Sequence, residues 1–270
     1  MTGSVDQLDE LSQNLVEVAS TAAFKVGQML VDAFNNGVTV EQKAGFYDLV
    51  TEYDRESERI ISAHILQYYP DSAILGEEGG ARGTGSLQWY IDPIDGTTNF
   101  ATGLPFFCIS IGVALDRQML AGIIYEPVRQ ELFAASTQGA FLNGAPIRAQ
   151  GARQDAEAVV LTDYPYLRTR FLDDDYQLFA AMVANFRGVR RLGSVALQLA
   201  YVACGRADIA FSINASSWDI AAGMFLVEQA GGRYLPLKTT RPPSWPPVHF
   251  IATCPEFELA GSVLKALPTL

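Results

Sequence analysis

Histidine is nearly missing: the 270 residues include only His64 and His249. A zinc site rich in imidazole and a serine–histidine–aspartate relay are both hard to assemble from so few. Cysteine is scarce as well, and the three present, Cys108, Cys204 and Cys254, are an odd number without C-x-x-C spacing. They read as buried, inert thiols. Any metal held by this chain is therefore a hard one bound through oxygen. Positive charge is in deficit, with 19 lysines and arginines against 30 aspartates and glutamates and a formal net charge of −11. The positive footprint on which nucleic-acid backbones are bound is thus absent. The one basic knot, Arg187 with Arg190 and Arg191, reads as a solvated turn, contact with an anionic substrate or partner being the alternative. Long apolar runs are lacking too. The longest, Phe106 to Leu115, falls well short of the roughly 18 residues that span a bilayer. The first residues, MTGSVDQLDELSQ, have neither the basic start nor the apolar stretch of a secretory signal. A cytoplasmic location with no membrane partner is expected.

What the chain does have is core-forming material, 49% hydrophobic residues in a length that suits one large domain or two small ones sharing an interface. Leu8, Leu11, Leu15, Ala19, Ala22, Val26, Met29 and Ala33 recur at three and four residues, the stripe of a long amphipathic helix. A second helix is expected from about Thr51 to Tyr69, with Ile61, Ile65, Leu66 and Tyr69 inward and Pro70 ending it. From Ala73 the pattern turns to strands: AILGEE, LQWYID, FFCISIGVAL, LAGIIYE and ELFAAS, with a tight hairpin at Asn143. The glycine-rich EEGGARGTGS reads as a mobile loop and has no nucleotide-cradle pattern. After Ile147 strands and helices alternate, ending in a last helix, which favours a layered α/β unit. RPPSWPP, Arg241 to Pro247, is expected as an extended surface loop. The chain divides into an N-terminal half, 1–150, and a C-terminal half, 151–270.

The stretch WYIDPIDGTTNF, Trp89 to Phe100, places Asp92 and Asp95 on either side of a proline and follows them with glycine and two threonines. A strand ending at Asp92 delivers its carboxylate to the rim of a sheet. Gly96 lets the backbone turn into a helix whose first amides are free to receive an anion. Taken alone, such a segment is equally well an N-cap with an Asx-turn, and Asp48 or Thr51 likewise suits the N-cap of the second helix. Two further acids shift the balance. Glu77 follows an apolar strand in the same way, and Asp219 opens a helix continued by the small residues Ala221, Ala222 and Gly223. Carboxylates about 4 Å apart repel by roughly 4 kcal/mol at an effective dielectric near 20. Such a cluster becomes reasonable once divalent cations bind, and oxygen-only ligands describe magnesium or manganese.

These motifs, WYIDPIDGTTNFAT and WDIAAGMFLVEQAGG preceded by DLVTEYD and ILGEEGG, resemble those of the inositol monophosphatase family of lithium-sensitive, magnesium-dependent phosphatases, in the family's order. The resemblance runs from about Leu8 to Phe257. It implies a layered αβαβα sandwich, with helices on a mostly antiparallel sheet in the N-terminal half and an α/β C-terminal half, and a homodimer. It implies two magnesium ions, with a third, weaker one near Glu77 and manganese able to substitute. Glu77, Asp92 and the carbonyl of Ile94 would hold the first ion; Asp92, Asp95 and Asp219 would hold the second. Thr97, oriented by Asp48 with Thr51 close by, would position the water for in-line attack, and Glu77 would help remove its proton. Gly96, Thr97 and Thr98 would receive the phosphate together with Asp95 and Asp219.

One position departs from the pattern. Inositol-specific members carry an acid seven residues before the aspartate of the second signature, and Ser212 stands there instead. A serine brings one hydrogen-bonding hydroxyl and no charge, so discrimination for a polyol is expected to be weaker or redirected, with Asn214 and Arg190 as candidate contacts. The expected function is magnesium-dependent hydrolysis of a small polyol or sugar phosphate. Histidinol phosphate, fructose 1,6-bisphosphate, adenosine 3',5'-bisphosphate and NADP are alternatives within the same chemistry. An alternative of another class is a protein-partner role in transcription or RNA processing, as some bacterial relatives have.

Overall fold

The periodic apolar stripe of the first residues folds as predicted. In the computed structural model, which describes residues 2–39, 41–42, 49–165, 173–213, 215–238 and 245–267, α1 spans Thr2–Asn36. The short strands β1 (Glu41–Gln42) and β2 (Leu49–Val50) pair with each other before α2 (Glu52–Tyr68). Strands follow in series: β3 (Ala73–Gly76), β4 (Gly80–Arg82) and β5 (Leu87–Asp95), then the short α3 (Thr97–Thr102). Next come β6 (Cys108–Leu115), β7 (Gln118–Glu126), β8 (Glu131–Ser136), β9 (Gly139–Leu142) and β10 (Ala145–Pro146). The C-terminal half contributes β11 (Val159–Thr162), α4 (Asp173–Asn185), β12 (Gly188–Arg190), α5 (Val195–Ala203), β13 (Ile209–Ser212), α6 (Ser217–Gln229), β14 (Arg233–Pro236) and β15 (Phe250–Thr253).

Two sheets result. The first has the order β10-β9-β8-β7-β6-β5-β3-β4, antiparallel throughout except for the parallel pair β3–β5. The second has the order β12-β11-β13-β15-β14, with β12, β11 and β13 parallel and β15 antiparallel to both of its neighbours, β13 and β14. Alternation along the strands assigns each face. Trp89, Ile91, Ile111, Val113 and Ile123 meet Leu15, Ala22, Val26 and Leu30 of α1 and Ile61 and Ile65 of α2. On the opposite face Tyr90, Ile124 and Phe133 meet α5 and α6, which also cover Leu161, Ala210, Phe250 and Ala252 of the second sheet. The far face of that sheet, Val160, Ile209, Phe211 and Ile251, packs on Met182 of α4 and on Phe186, Phe257 and Leu264. The layers are therefore αβαβα, and one pair of helices belongs to both halves.

That central layer depends on glycine. Gly112 of β6 and Gly122 of β7 are partners in register and lie beneath α6. A Cβ on Gly112 would stand 2.7 Å from the Ala221 Cβ and 2.8 Å from the Ala222 nitrogen. Backbone cannot yield as a side chain does, so Gly112→Val is expected to destabilise the protein by about 3 kcal/mol or more, read as a shift in the urea midpoint. Because α6 carries Asp219 at its first turn, this contact also sets how far that carboxylate stands from the sheet.

Several sequence expectations need correction. Leu66 lies on the open side of α2, 38% exposed; it is one residue beyond the i, i+4 row of Ile61, Ile65 and Tyr69. The glycine-rich segment is not all loop, since Gly80–Arg82 forms an edge strand against β3. Strand β5 does not stop at Asp92 but runs to Asp95, with the register shifting between Asp92↔Ser110 and Asp95↔Cys108. Pro93 has no amide to donate, and the extra residue is taken up as a bulge. The last helix is replaced by two 3₁₀ turns, Leu259–Gly261 and Val263–Ala266, separated where the Ser262 hydroxyl caps the second turn through Leu264 N. In the RPPSWPP segment residues 241–244 lie outside the described residues. Trp245 packs toward Tyr90, ring centroids 6.0 Å apart, which ties this loop to the core. Among the described residues no helix is long and apolar enough to cross a membrane.

Candidate active site

The acids singled out in the sequence reach one region by way of backbone links. The Glu77 amide donates to the Ile91 carbonyl at 3.1 Å, which sets the residue after β3 beside the end of β5. Ser110, the register partner of Asp92, donates from its hydroxyl to the Trp218 carbonyl at 3.3 Å and so anchors the residue before Asp219. Asp95 is gripped by the start of α5: Ser194 Oγ donates to its Oδ2 at 2.7 Å, Ala196 N at 2.6 Å, and Val195 N donates to Oδ1 at 3.3 Å. Asp92 Oδ1 accepts from Ile94 N at 3.0 Å, and Asp219 Oδ2 accepts from Ser216 N at 2.7 Å in a capping box at the head of α6. Four segments far apart in sequence therefore meet between the two sheets.

Their ionisation reflects that meeting. Burial pushes the Asp92 carboxyl well above its ordinary range, and the negative charges of Glu77, Asp95, Asp219 and Asp54 push it further. Asp92 is 2% exposed. Burial likewise raises Asp219, with Asp95, Glu77 and Asp163 adding to it against the Ser216 amide. Asp95 is raised to about 7, burial outweighing the Ser194 hydroxyl and the α5 amides, with Asp163 adding repulsion. No lysine or arginine figures among the main influences on these three groups. Among the described residues, no three acid, histidine or cysteine side chains are already arranged as a cage for a metal; Asp92, Asp95 and Asp219 instead each hold a donor from the chain. Carboxylates that repel one another, with no cationic side chain among their main influences in the described residues, still match a hard divalent cation, because magnesium keeps much of its water and takes few direct protein ligands.

The loop between Asp95 and α3 is shaped by Gly96, at φ 99° and ψ 35°. That left-handed conformation favours glycine, and a Cβ there would stand 3.0 Å from the Phe106 carbonyl oxygen. Thr97 follows, its Oγ1 3.1 Å from Asp54 Oδ1 and 3.0 Å from the Ile94 carbonyl. Thr98 is exposed on the first turn of α3.

The side chain that meets Thr97 among the described residues is Asp54, which the sequence reading passed over. Asp48, assigned that task, lies outside the described residues. Thr51 caps α2 and is fully buried. Its amide and its hydroxyl both donate to Asp54 Oδ2, at 2.7 and 2.6 Å, leaving Oδ1 to Thr97. Burial raises the Asp54 carboxyl against these Thr51 bonds, and Glu78 adds to the rise. The signal was present in DLVTEYD, where Thr51-x-x-Asp54 has the spacing of a capping box. A second residue had no local signal: Glu58 of α2, buried, accepts from the amides of Glu78 and Gly79 at 2.7 and 2.8 Å and so fixes the turn that carries Glu77.

Of the residues named for substrate contact, Ser212 ends β13 and is 3% exposed. Arg190 turns back to the Val189 carbonyl at 3.1 Å, and Asn214 lies outside the described residues. Cys108 and Cys254 are buried and Cys204 is half-buried. The Cys108 thiol, pushed well above its usual range by burial and by Asp95, is no nucleophile.

Comparison with known proteins gives a consistent result. Residues 11–266 match the model of the inositol monophosphatase family. The chain is 40% identical over 223 residues to the inositol-1-monophosphatase of Synechocystis sp., covering 82% of this chain and 78% of that protein. It is 38% identical over 229 residues to the Nus factor SuhB of Pseudomonas aeruginosa, covering 82% and 84%. The solved inositol monophosphatase of Anabaena superposes with a TM-score of 0.80 at 32% identity, over 96% of this chain and 98% of the other. The family's members are phosphoric monoester hydrolases, and with both sequence and fold in agreement the chain belongs to the inositol monophosphatase family.

Proposed function

We propose that the protein is a magnesium-dependent phosphomonoesterase acting on a small polyol or sugar phosphate. The observation that carries this reading is the mutual repulsion of buried Asp92 and Asp95 and half-buried Asp219, with no cationic side chain among their main influences in the described residues, beside a threonine hydroxyl that meets Asp54. In this proposal Glu77, Asp92 and the Ile94 carbonyl hold one ion, Asp92, Asp95 and Asp219 a second, and a third sits more weakly near Glu77. Bound there, magnesium supplies the positive charge that neutralises the cluster, attracts phosphate oxygens toward an acidic protein and lowers the pKa of water.

The chain's own residues do the rest. Gly96 and Thr97 offer backbone amides to the phosphate, with Thr98 beside them. With Asp54 Oδ2 filled by two bonds from Thr51, Oδ1 takes the Thr97 hydroxyl hydrogen. The lone pairs of Thr97 Oγ1 are then free to hold a water in line with the ester bond. Glu77 accepts that water's proton. The P–O bond to the alcohol breaks as the water oxygen bonds to phosphorus, the leaving oxygen takes a proton from solvent water, and Glu77 returns its own proton to solvent. Because phosphate monoesters hydrolyse among the slowest of uncatalysed reactions, most of the acceleration must come from positioning and charge neutralisation.

The test is inorganic phosphate release from a panel of sugar, polyol, histidinol and nucleotide monoesters, with Mg²⁺, with EDTA and with added Li⁺. Release that requires Mg²⁺ and stops in EDTA is expected, with inhibition by Li⁺. Release indifferent to EDTA, or none from any ester, ends the proposal. The several relatives named Nus factor SuhB favour a second reading as a partner in transcription. A phenotype that survives loss of the metal site marks that role.

A further inference from the structure

The proposed mechanism leaves one acid of the site without a task. Asp163 follows β11 directly, one residue past the rung Thr162↔Phe211 that pairs β11 with β13. It therefore stands at the same carboxyl-terminal edge as Ser212. Strand alternation turns both toward the central helices, since Leu161 and Ala210, two residues earlier on each strand, belong to that core. The crevice beyond the carboxyl ends of parallel strands is where open α/β sheets bind ligands.

The two neighbours are not equally available. Ser212 is buried, whereas Asp163 is half-buried. The Asp163 carboxylate is also held in place. Gln198 Nε2 donates to its Oδ1 at 3.1 Å, the Gly193 amide donates to it, and the Arg191 guanidinium lies close enough to favour its charge. Gln198 is itself fully buried, and its Oε1 finds no hydrogen-bond partner among the described residues. A buried amide with an unmet acceptor costs stability, so its place is fixed by something other than its own satisfaction. It sits in the first turn of α5, the turn whose amides and Ser194 cap grip Asp95. One helical turn thus holds Asp95 and Asp163 relative to each other, and the charge of Asp163 is felt at both Asp95 and Asp219.

We infer that Asp163 is the group that reads the substrate's hydroxyls: its carboxylate accepts hydrogen bonds from one or two hydroxyl groups close to the phosphoester, with Gln198 as its positioning residue. A fixed, half-buried carboxylate at this edge, with lone pairs beyond those its two donors take, selects phosphates of polyols and sugars over esters without hydroxyls. The inference rests on the proposed phosphatase reading and narrows its substrate class.

The experiment compares kcat/KM for myo-inositol 1-phosphate and for p-nitrophenyl phosphate, which carries no hydroxyl, in the wild type and in Asp163→Asn, each with a Mg²⁺ titration. Asparagine keeps an oxygen for Gln198, and a thermal melt confirms the fold. The ratio of the two kcat/KM values is expected to fall about ten- to hundredfold, mainly through KM for the polyol ester, because a charged acceptor for hydroxyls is lost. The Mg²⁺ concentration for half-maximal rate stays where it was. Equal losses on both esters, or a shifted Mg²⁺ requirement, overturn the inference and make Asp163 part of the metal site. A wild type inactive on these and on every other ester of the panel overturns the phosphatase reading and this inference with it; one active on other esters but on neither of these overturns this inference alone. An active wild type whose ratio does not move in the variant overturns this inference alone.

Discussion

Replacing Asp92 with asparagine will cost at least about a thousandfold in kcat, and in EDTA the same change will make the protein harder to unfold. The first half follows from Asp92 being the one side chain assigned to both proposed ions. A thousandfold is about 4 kcal/mol at 1.36 kcal/mol per tenfold, within the several kcal/mol that a Lewis-acidic ion contributes. The second half follows from burial. A carboxyl 2% exposed among Glu77, Asp95, Asp219 and Asp54 ionises at a cost, whereas asparagine is neutral, has the same shape and keeps the bond from Ile94 N. Activity and metal-free stability then move in opposite directions, as at other sites built for function at the expense of stability. The measurements are kcat at saturating Mg²⁺ and the urea midpoint in EDTA at pH 8. A variant of near-normal kcat, or one less stable than wild type in EDTA, contradicts the assignment.

The second large effect is a reversal of pH dependence by magnesium. In the unfolded chain Asp95 titrates near 3.8; in the metal-free folded protein it is raised to about 7. Between those values the native state binds a proton that the unfolded state has lost, so stability falls as pH rises. The loss begins above the unfolded pKa, runs at up to about 1.4 kcal/mol per pH unit and levels off past 7, roughly 4 kcal/mol in all for this one group. Magnesium requires the carboxylates deprotonated, so its stabilisation grows over the same interval; at a hundred times its Kd it adds about 2.7 kcal/mol. Denaturation at pH 5, 6.5 and 8 is therefore expected to show metal-free stability declining and the Mg²⁺ increment rising. Asp95→Asn should remove most of the decline. A wild type whose metal-free stability climbs from pH 5 to 8 by the same amount as the variant's would leave Asp95 without the raised pKa described.

How much of this was legible in the sequence depended on whether the signal was local. The helices and strands could be read because α1 repeats at helical spacing and the strands of 87–136 alternate or run apolar between turns, whereas their αβαβα layering was implied by the family resemblance. The candidate acids were legible because strand-to-loop transitions and a helix opening mark Glu77, Asp92, Asp95 and Asp219 one by one. Their convergence needed packing, in particular the seating of α6 on Gly112 and Gly122. Asp54, at the far end of DLVTEYD, was passed over because its tie to Thr97 depends on how the start of α2 packs against the loop after β5. Glu58 was out of reach, since the amides it holds lie 20 and 21 residues away. Asp163 was hidden for a similar reason: its position is defined by the register of β11 against β13 and by Gln198. The edge strand Gly80–Arg82 was concealed by glycines that resemble a loop and yet form a strand against β3.

Anomalous diffraction from crystals grown with Mn²⁺ tests the central claim most directly, because manganese substitutes for magnesium and identifies itself by its scattering. The account predicts peaks in contact with Asp92 and shared among Glu77, the Ile94 carbonyl, Asp95 and Asp219. Manganese bound elsewhere, with these acids keeping only their bonds from Ser194, Ala196, Ile94 and Ser216, contradicts it.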